Sequence, residues 1–354
     1  LALAAWARPR LDATVVGVTG SVGKTTTKDM IAAACAAGRR TTANERSFNN
    51  DQGLPVTILN APDDTEVLVV EMGMRGFGEI ARLCEIARPH IGVVTVVGHA
   101  HTDLVGGLEG VAEAKGELVA ALPASGAAIL NADDDRVAAM SSRTSAAVLS
   151  YGWTGEVFPA DIELDAAARA HFYAHTPWGR AEITLPVPGM HMVSNALAAL
   201  AVAGTVGVDI DDAAAALAEV EVSDMRMEVV IASGGATVVN DAYNANPTSM
   251  HAALDALAAI DAARRIAVLG LMAEIEHPER AHREVMRRAE DLGLEVVVVG
   301  TDLYGVDPVD DVRAAIGPLG PDAAVLVKAS RSAGLERVVS DLLAPSTRPD
   351  LDEA

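Results

Sequence analysis

The run ATVVGVT at 13–19 is rich in β-branched residues, stops at Gly20-Ser21-Val22-Gly23-Lys24-Thr25-Thr26, and passes straight into an alanine-rich helical stretch. A strand, a glycine turn and a helix in so few residues make a unit whose backbone N–H groups converge on one point. That is a phosphate-binding arrangement, with Lys24 placed to reach β- and γ-phosphates and the Thr25 hydroxyl to ligate Mg²⁺. The strict pattern G-x-x-x-x-G-K-S/T requires its first glycine at position 18. Val18 stands there, and the glycine is one residue early, at Gly17. The cradle of Gly20, Gly23, Lys24 and Thr25 is intact, so a nucleotide site is expected. A glycine turn with a solvent lysine is the plainer alternative.

The strand–helix unit repeats. Apolar runs at 65–72, 91–97 and 126–131 alternate with helical patterns at 24–36, 77–87 and 108–122. Alternation of this kind argues for an α/β domain with a mostly parallel sheet. Residues 147–187 break into short alternating segments, which predicts antiparallel strands at an edge, and 191–207 reads as a strong helix. From about 225 a second, smaller α/β alternation begins. Strands are expected at 227–232, 236–240, 265–270, 294–299 and 323–327, and helices near 248–260, 279–291, 310–316 and 332–343.

Bulk properties exclude some roles. Half of the 354 residues are hydrophobic, which argues against disorder. A net charge of −22 argues against non-specific nucleic-acid binding. No apolar run reaches membrane-spanning length and no signal peptide is visible, so a cytoplasmic protein is expected. Cys35 and Cys84 lack metal-ligand spacing and read as core residues of a reduced compartment. Lysine occurs only at 24, 28, 115 and 328, while arginine is common. The retained lysines deserve inspection, because the two side chains differ in chemistry.

Further polar motifs lie at predicted strand ends, where open α/β sheets bind ligands. Glu71 ends one strand and could hold Mg²⁺, although a lone strand-end carboxylate is more often a cap. His99 and His101 alternate in the loop after 91–97, so at most one of them is expected to face the site, and a loop pair of this kind is usually polar surface. Lys115 lies on a helix, where most lysines are solvated. NADDD at 131–135 and NDAYNANPTSM at 240–250 follow strands, the second immediately before a helix.

In order along the chain, TGSVGKTTTK, SFNNDQGLPVTIL, EMGMRGFGEI, AHTDLVGGLEGVAEAKGEL, AILNADDD, PGMHMVSNALAALAVA, NDAYNANPTSM and LVKASRSAGLE resemble the Mur ligases of peptidoglycan synthesis. The DAYNANPTSM stretch resembles the D-alanyl-D-alanine-adding branch of that family. The resemblance implies an α/β chain with a central P-loop ATPase-like domain and a smaller C-terminal Rossmann-like domain. It implies a linker remnant at 1–12, the ATP-binding domain at 13–224, the C-terminal domain at 225–343 and a flexible tail at 344–354, without the family's N-terminal uridine-nucleotide domain. The implied activity is ATP-dependent addition of D-alanyl-D-alanine to UDP-N-acetylmuramoyl-tripeptide through an acyl phosphate, by a cytoplasmic monomer using Mg²⁺.

Residue by residue, the resemblance puts ATP phosphates at Gly20, Ser21, Val22, Gly23, Lys24, Thr25 and Thr26. It puts adenine at Asn195 and ribose at Asp241. Metal ligands would be Thr25, Glu71, His101 and Lys115, the last carbamylated in several relatives. Arg226 would reach the γ-phosphate. Asn49, Asn50, Asn244, Asn246, Lys328, Ser330 and Arg331 match substrate motifs. Val96, Val105, Met190, Met225 and Leu271 depart from residues the family usually carries. Two other readings remain: a folylpolyglutamate- or cyanophycin-type ligase on the same scaffold, and a nucleotide-binding module without ligase activity.

Overall fold

The computed structural model describes residues 1–45, 47–99 and 102–344, with Asp103 described by its backbone alone. The expected metal ligand His101 and the tail beyond Ala344 lie outside the described residues. The chain divides into two compact units. The first comprises Leu1–Asp165, Arg169–Ser223 and Glu274–Glu276; the second comprises Asp224–Ala273, the chain from His277 onward and the turn Ala166–Ala168.

The first unit begins with α1 (Ala2–Ala7), β1 (Thr14–Thr19), α2 (Lys24–Ala36), β2 (Thr41–Ala43), α3 (Gly53–Asn60), β3 (Val67–Glu71) and α4 (Glu79–Ala87). It continues through β4 (Ile91–Val94), α5 (Thr102–Val105), α6 (Leu108–Ala120), β5 (Ala127–Asn131), α7 (Asp135–Ala139) and β6 (Ala147–Tyr151). Then come β7 (Phe158–Leu164), β8 (Arg169–Thr176), β9 (Gly179–Pro188), α8 (His191–Thr205) and α9 (Ile210–Ala218). Six strands form one parallel sheet in the order β2-β3-β1-β4-β5-β6. The chain leaves β1 for one side of the sheet and returns at β4 on the other. The carboxyl end of β1 is therefore the switch point at which such sheets open a crevice.

The misplaced glycine has its explanation here. Gly17 lies inside β1, opposite Gly92 of β4. A Cβ at Gly17 would stand 2.9 Å from Leu118 Cδ1, and one at Gly92 would stand 3.1 Å from Leu118 Cγ. The paired glycines form a flat seat on which α6 comes close to the sheet. Gly17 is a packing residue, and the phosphate loop begins at Gly20.

The segment 147–187 departs from expectation. It was expected to be antiparallel at a sheet edge, but β6 extends the parallel sheet. Only β7, β8 and β9 are antiparallel, and they form a separate three-stranded sheet. The reason is their apolar face: Ala170, Phe172, Ala174, Ala181, Ile183 and Leu185 are buried, and β8 and β9 pack against α8 and α9. Five elements of this unit were not anticipated: β2, α3, α5, α7 and α9. The last is capped by Asp209, whose carboxylate accepts the Asp211 and Asp212 N–H groups.

The second unit holds β10 (Glu228–Ile231), β11 (Thr237–Asp241), α10 (Pro247–Ala259), β12 (Arg264–Leu269) and α11 (Pro278–Asp291). It ends with β13 (Glu295–Val298), α12 (Val312–Ile316), β14 (Ala323–Lys328) and α13 (Glu336–Leu343). The sheet order is β10-β11-β14-β12-β13, parallel except for β10. Val238, Ile266, Val268, Val325 and Val327 share a core with α12 and α13, while α10 and α11 also pack on these strands. Among the described residues no helix is long and apolar enough to cross a membrane.

His282 is fully buried on α11. Its Nε2 accepts the Met272 N–H at 2.9 Å while Nδ1 faces the Pro278 carbonyl at 2.6 Å, which requires a neutral ring with the proton on Nδ1. Burial holds its pKa below the ordinary histidine value.

Two outcomes follow. Gly17→Val should destabilise the chain by about 1–3 kcal/mol through overpacking. Leu118→Ala in the same chain should relieve part of that, giving a favourable coupling of about 0.5–3 kcal/mol in urea unfolding. Strict additivity would refute the seat. For His282, the unfolded ring titrates near about 6.5 and the folded ring lower. The unfolded state therefore binds more protons in between, so stability is complete above the unfolded pKa and falls as pH drops toward the folded one. Wild type should lose more urea resistance between pH 7.5 and 5.5 than His282→Gln does; equal losses would contradict the neutral-ring assignment.

Candidate active site

The loop Gly20–Thr26 joins β1 to α2 at the switch point. Gly20 has φ +149°, and a Cβ there would lie 1.8 Å from Thr95 Oγ1, so glycine is required. Gly23 caps α2 in the left-handed region, φ 81°. The loop is fastened to the segment after β4. Ser21 donates its N–H to the Val96 carbonyl at 2.7 Å and its hydroxyl to the Gly98 carbonyl at 3.0 Å. Thr95 donates its hydroxyl to the Val22 carbonyl at 2.6 Å. Lys24 curls back, with Nζ donating to the Gly20 carbonyl at 2.8 Å. The first N–H groups of α2 have no intrahelical acceptor and lie at the positive end of the helix dipole.

Glu71 ends β3 with 1% of its surface exposed. One carboxylate oxygen accepts from Thr25 Oγ1 at 2.8 Å and the other from Asn49 Nδ2 at 2.7 Å. Its N–H donates to Asn44 Oδ1 at 2.7 Å. Thr25 and Glu71 together offer hard oxygen donors of the kind that Mg²⁺ takes. Among the described residues no group of three or more His, Cys, Asp or Glu could hold a metal ion.

Lys115 on α6 is 2% exposed. Its pKa is held well below the ordinary lysine value, first by burial and then by repulsion from Lys24, with Glu71 opposing. Leu118, one turn on, sits on the glycine seat, so the packing that brings α6 close also buries Lys115. Asn195 on α8 accepts from the Thr27 hydroxyl at 3.2 Å and so stands against α2. Thr26 is buried. Asn50 works apart from Asn49: its side-chain oxygen accepts the Gln52 and Gly53 N–H groups at 3.0 Å each, turning the chain into α3.

The remaining sequence-derived residues belong to the second unit. Asp241, at the end of β11, pairs with the buried Lys328 Nζ at 2.5 Å, and Lys328 also donates to the Asn244 carbonyl at 2.9 Å. The other Asp241 oxygen accepts the Met227 N–H at 3.2 Å. Asn246 caps α10 in a reciprocal capping box with Ser249. Ser330 accepts the Ala273 N–H and donates to the Ala245 carbonyl. Arg226 lies over the Tyr243 ring, 4.2 Å from its centroid. Arg331 pairs with Glu336 at 3.2 Å. Asp241, Asn244, Asn246, Lys328 and Ser330 thus converge around the carboxyl ends of β11 and β14.

The Mur ligase middle domain family matches residues 18–203, and the Mur ligase glutamate ligase domain family matches residues 225–348. The chain belongs to the Mur ligase family. It is 43% identical over 375 residues to the UDP-N-acetylmuramoyl-tripeptide–D-alanyl-D-alanine ligase of Mycobacterium tuberculosis, across 94% of this chain and 74% of that protein. Among solved structures it is similar to MurF from Acinetobacter baumannii, with a TM-score of 0.88 at 30% identity, covering 96% of this chain and 79% of that one. It is also similar to the MurF ligase from Thermotoga maritima in complex with ADP, with a TM-score of 0.87 at 28% identity, covering 96% and 81%.

Sequence reasoning on this Mur ligase passed over Thr27, Asn44 and Thr95. Each contacts the site through a bond to a residue distant in sequence, which leaves no local signature. The TTANERSFNN stretch before Asn49 was the nearest available hint of Asn44.

Lys115→Met should stabilise this Mur ligase by about 1–4 kcal/mol at pH 7 in CO₂-free buffer, because wild type must strip the proton from this lysine, or bury its charge, on folding and Met does neither while keeping the packing volume. The folded lysine pKa lies below the unfolded value, so wild-type stability should rise with pH toward about 10.4. The gap between variant and wild type should therefore narrow between pH 7 and 9 in urea titrations. A gap that is absent or independent of pH would contradict the assignment.

Proposed function

We infer that this Mur ligase joins D-alanyl-D-alanine to UDP-N-acetylmuramoyl-tripeptide, at the expense of ATP, in peptidoglycan synthesis. The observation that carries this is 43% identity, through both units, to a ligase of that name. The assembled Gly20–Thr26 loop and its link to Glu71 supply the matching chemistry. ATP and a UDP-linked peptide are cytoplasmic substrates, so we place the chain in the cytoplasm, acting as a monomer.

A carboxylate does not condense with an amine at neutral pH, because its oxygen is a poor leaving group. In the first step, a terminal carboxylate oxygen of the tripeptide attacks the γ-phosphorus and ADP departs, giving an acyl phosphate. In the second, the amine of D-alanyl-D-alanine attacks the carbonyl carbon, the carbon–oxygen bond to phosphate breaks, and the nitrogen loses a proton. Catalysis is mainly positioning and neutralisation of charge.

The N–H groups of the Gly20–Thr26 loop cradle the phosphates. Lys24 exchanges the Gly20 carbonyl for β- and γ-phosphate oxygens, and Arg226 meets the γ-phosphate. Thr25 and Glu71, with His101 and Lys115, would hold Mg²⁺, which neutralises phosphate charge when bound. A lysine amine kept neutral by burial is open to CO₂, and the resulting carbamate offers anionic oxygens where an ammonium would repel the metal. Asn195 and Asp241 take adenine and ribose. Asn49 and Asn50, together with Asn244, Asn246, Lys328, Ser330 and Arg331, order the two peptide substrates.

Lys24→Ala should lower turnover by about 10²-fold or more, in line with loss of a charge-stabilising donor, and should leave the urea midpoint unchanged. Phosphate release should require both the tripeptide and D-alanyl-D-alanine. Lys115→Ala should be inactive and regain part of its rate with added short carboxylates, whereas Lys115→Arg should not. Release of phosphate with another amino-acid acceptor, and none with D-alanyl-D-alanine, would overturn the assignment.

A further inference from the structure

Lys28 and Asp29 lie one turn beyond the phosphate loop on α2, and nothing in the proposed chemistry uses them. Lys28 is 2% exposed. Its Nζ lies 2.7 Å from Asp29 Oδ1 and donates to the Asn44 carbonyl at 2.8 Å. Asn44 in turn accepts the Glu71 N–H through Oδ1. The other Asp29 oxygen, Oδ2, accepts the Ser223 N–H at 2.9 Å.

Ser223 is the last residue of the first unit before the chain passes into the second. Beyond it, Met225 and Met227 take φ values of 58° and 54°, left-handed conformations that are uncommon for large side chains. The helix that begins at the nucleotide loop thus holds the first unit's end of this connection through one carboxylate. That carboxylate is oriented by a buried ammonium, which is also tied to the strand bearing Glu71. A compact ammonium fits between Asp29 and the Asn44 carbonyl, whereas a planar guanidinium does not. This accounts for the lysine at 28 in a chain that otherwise favours arginine.

We propose that Asp29, held by Lys28, is a positioning residue that couples occupancy of the nucleotide loop to the connection entering at Ser223. The proposal rests on the nucleotide-dependent ligase reading given above. Thr25 and Glu71 lie at one end of the linked set, and Ser223 at the other. A shift of α2 on nucleotide binding moves Asp29 with it and is felt at Ser223 without any contact between the nucleotide and that segment.

The test is hydrogen exchange of the Ser223 amide, with and without Mg-ADP, in wild type, Asp29→Ala and Asp29→Asn, alongside ADP affinity and ligation rates. In wild type, Mg-ADP should slow exchange at Ser223 by about fivefold or more, as expected for a coupling of ordinary size. Asp29→Ala should remove that dependence and lower kcat by about fivefold or more, with ADP affinity within about twofold of wild type. Asp29→Asn keeps an oxygen for the Ser223 N–H and should restore most of both effects. An ADP response at Ser223 that persists in Asp29→Ala would overturn the proposal. So would ADP affinity falling in step with kcat, because the residue would then only support the loop. Should Asp29→Ala not fold, an unaltered ADP response with an unaltered kcat in Lys28→Met, which leaves the carboxylate unsupported, would overturn it equally. Wild-type exchange that responds to ADP without any ligation would refute the ligase reading and leave the coupling standing.

Discussion

A single buried carboxylate organises the first unit's site. Isolated in a protein interior, the charge of Glu71 would be worth several kcal/mol of destabilisation. The fold offsets this by delivering hydrogen-bond donors to both oxygens. Thr25 comes from the start of α2, and Asn49 from the segment before α3. Three segments far apart in sequence are thereby held at one point before any ligand arrives. Preorganisation of that kind is what a reaction dominated by charge neutralisation requires, because donors already in place need no reorganisation during the chemical step.

The four lysines show a related economy. Lys28, Lys115 and Lys328 are buried, and Lys24 folds over its own loop. Lys328 and Lys28 each combine a carboxylate with a backbone carbonyl, a task for a compact ammonium with three donors. Lys115 forms no ion pair among the described residues, and its environment favours the neutral amine. Arginine, which cannot lose its charge, would be intolerable there. The scarcity of lysine in the sequence thus marks where ammonium chemistry or ammonium shape is needed.

Much of the architecture was legible in one dimension because parallel strands buried on both faces leave continuous β-branched runs. β1, β3 and β5 are examples, as are β11, β12 and β14 of the second unit. The phosphate loop was legible because its residues are contiguous. The three-stranded sheet was misread as an edge because alternation reports that one face is buried and says nothing of what covers it. β2 is too short to leave a pattern. α3 carries a proline and a glycine in its first turn, and the capping aspartate of α9 was overlooked.

By itself the sequence determined two α/β units, a nucleotide loop at the end of the first strand, and a polar motif at the start of a helix in the second. Local periodicity and contiguous motifs are written in neighbouring residues, so they survive without coordinates. Only the tertiary structure decided that Gly17 serves helix packing, that Asn50 turns the chain while Asn49 holds Glu71, and that Thr27, Asn44 and Thr95 contact the site at all. Asn50 acts on its own neighbours, Gln52 and Gly53, but the other roles arise from hydrogen bonds and close approaches between residues far apart in the sequence. A hydrogen bond of this kind constrains only its two ends, so nothing in either local stretch announces it.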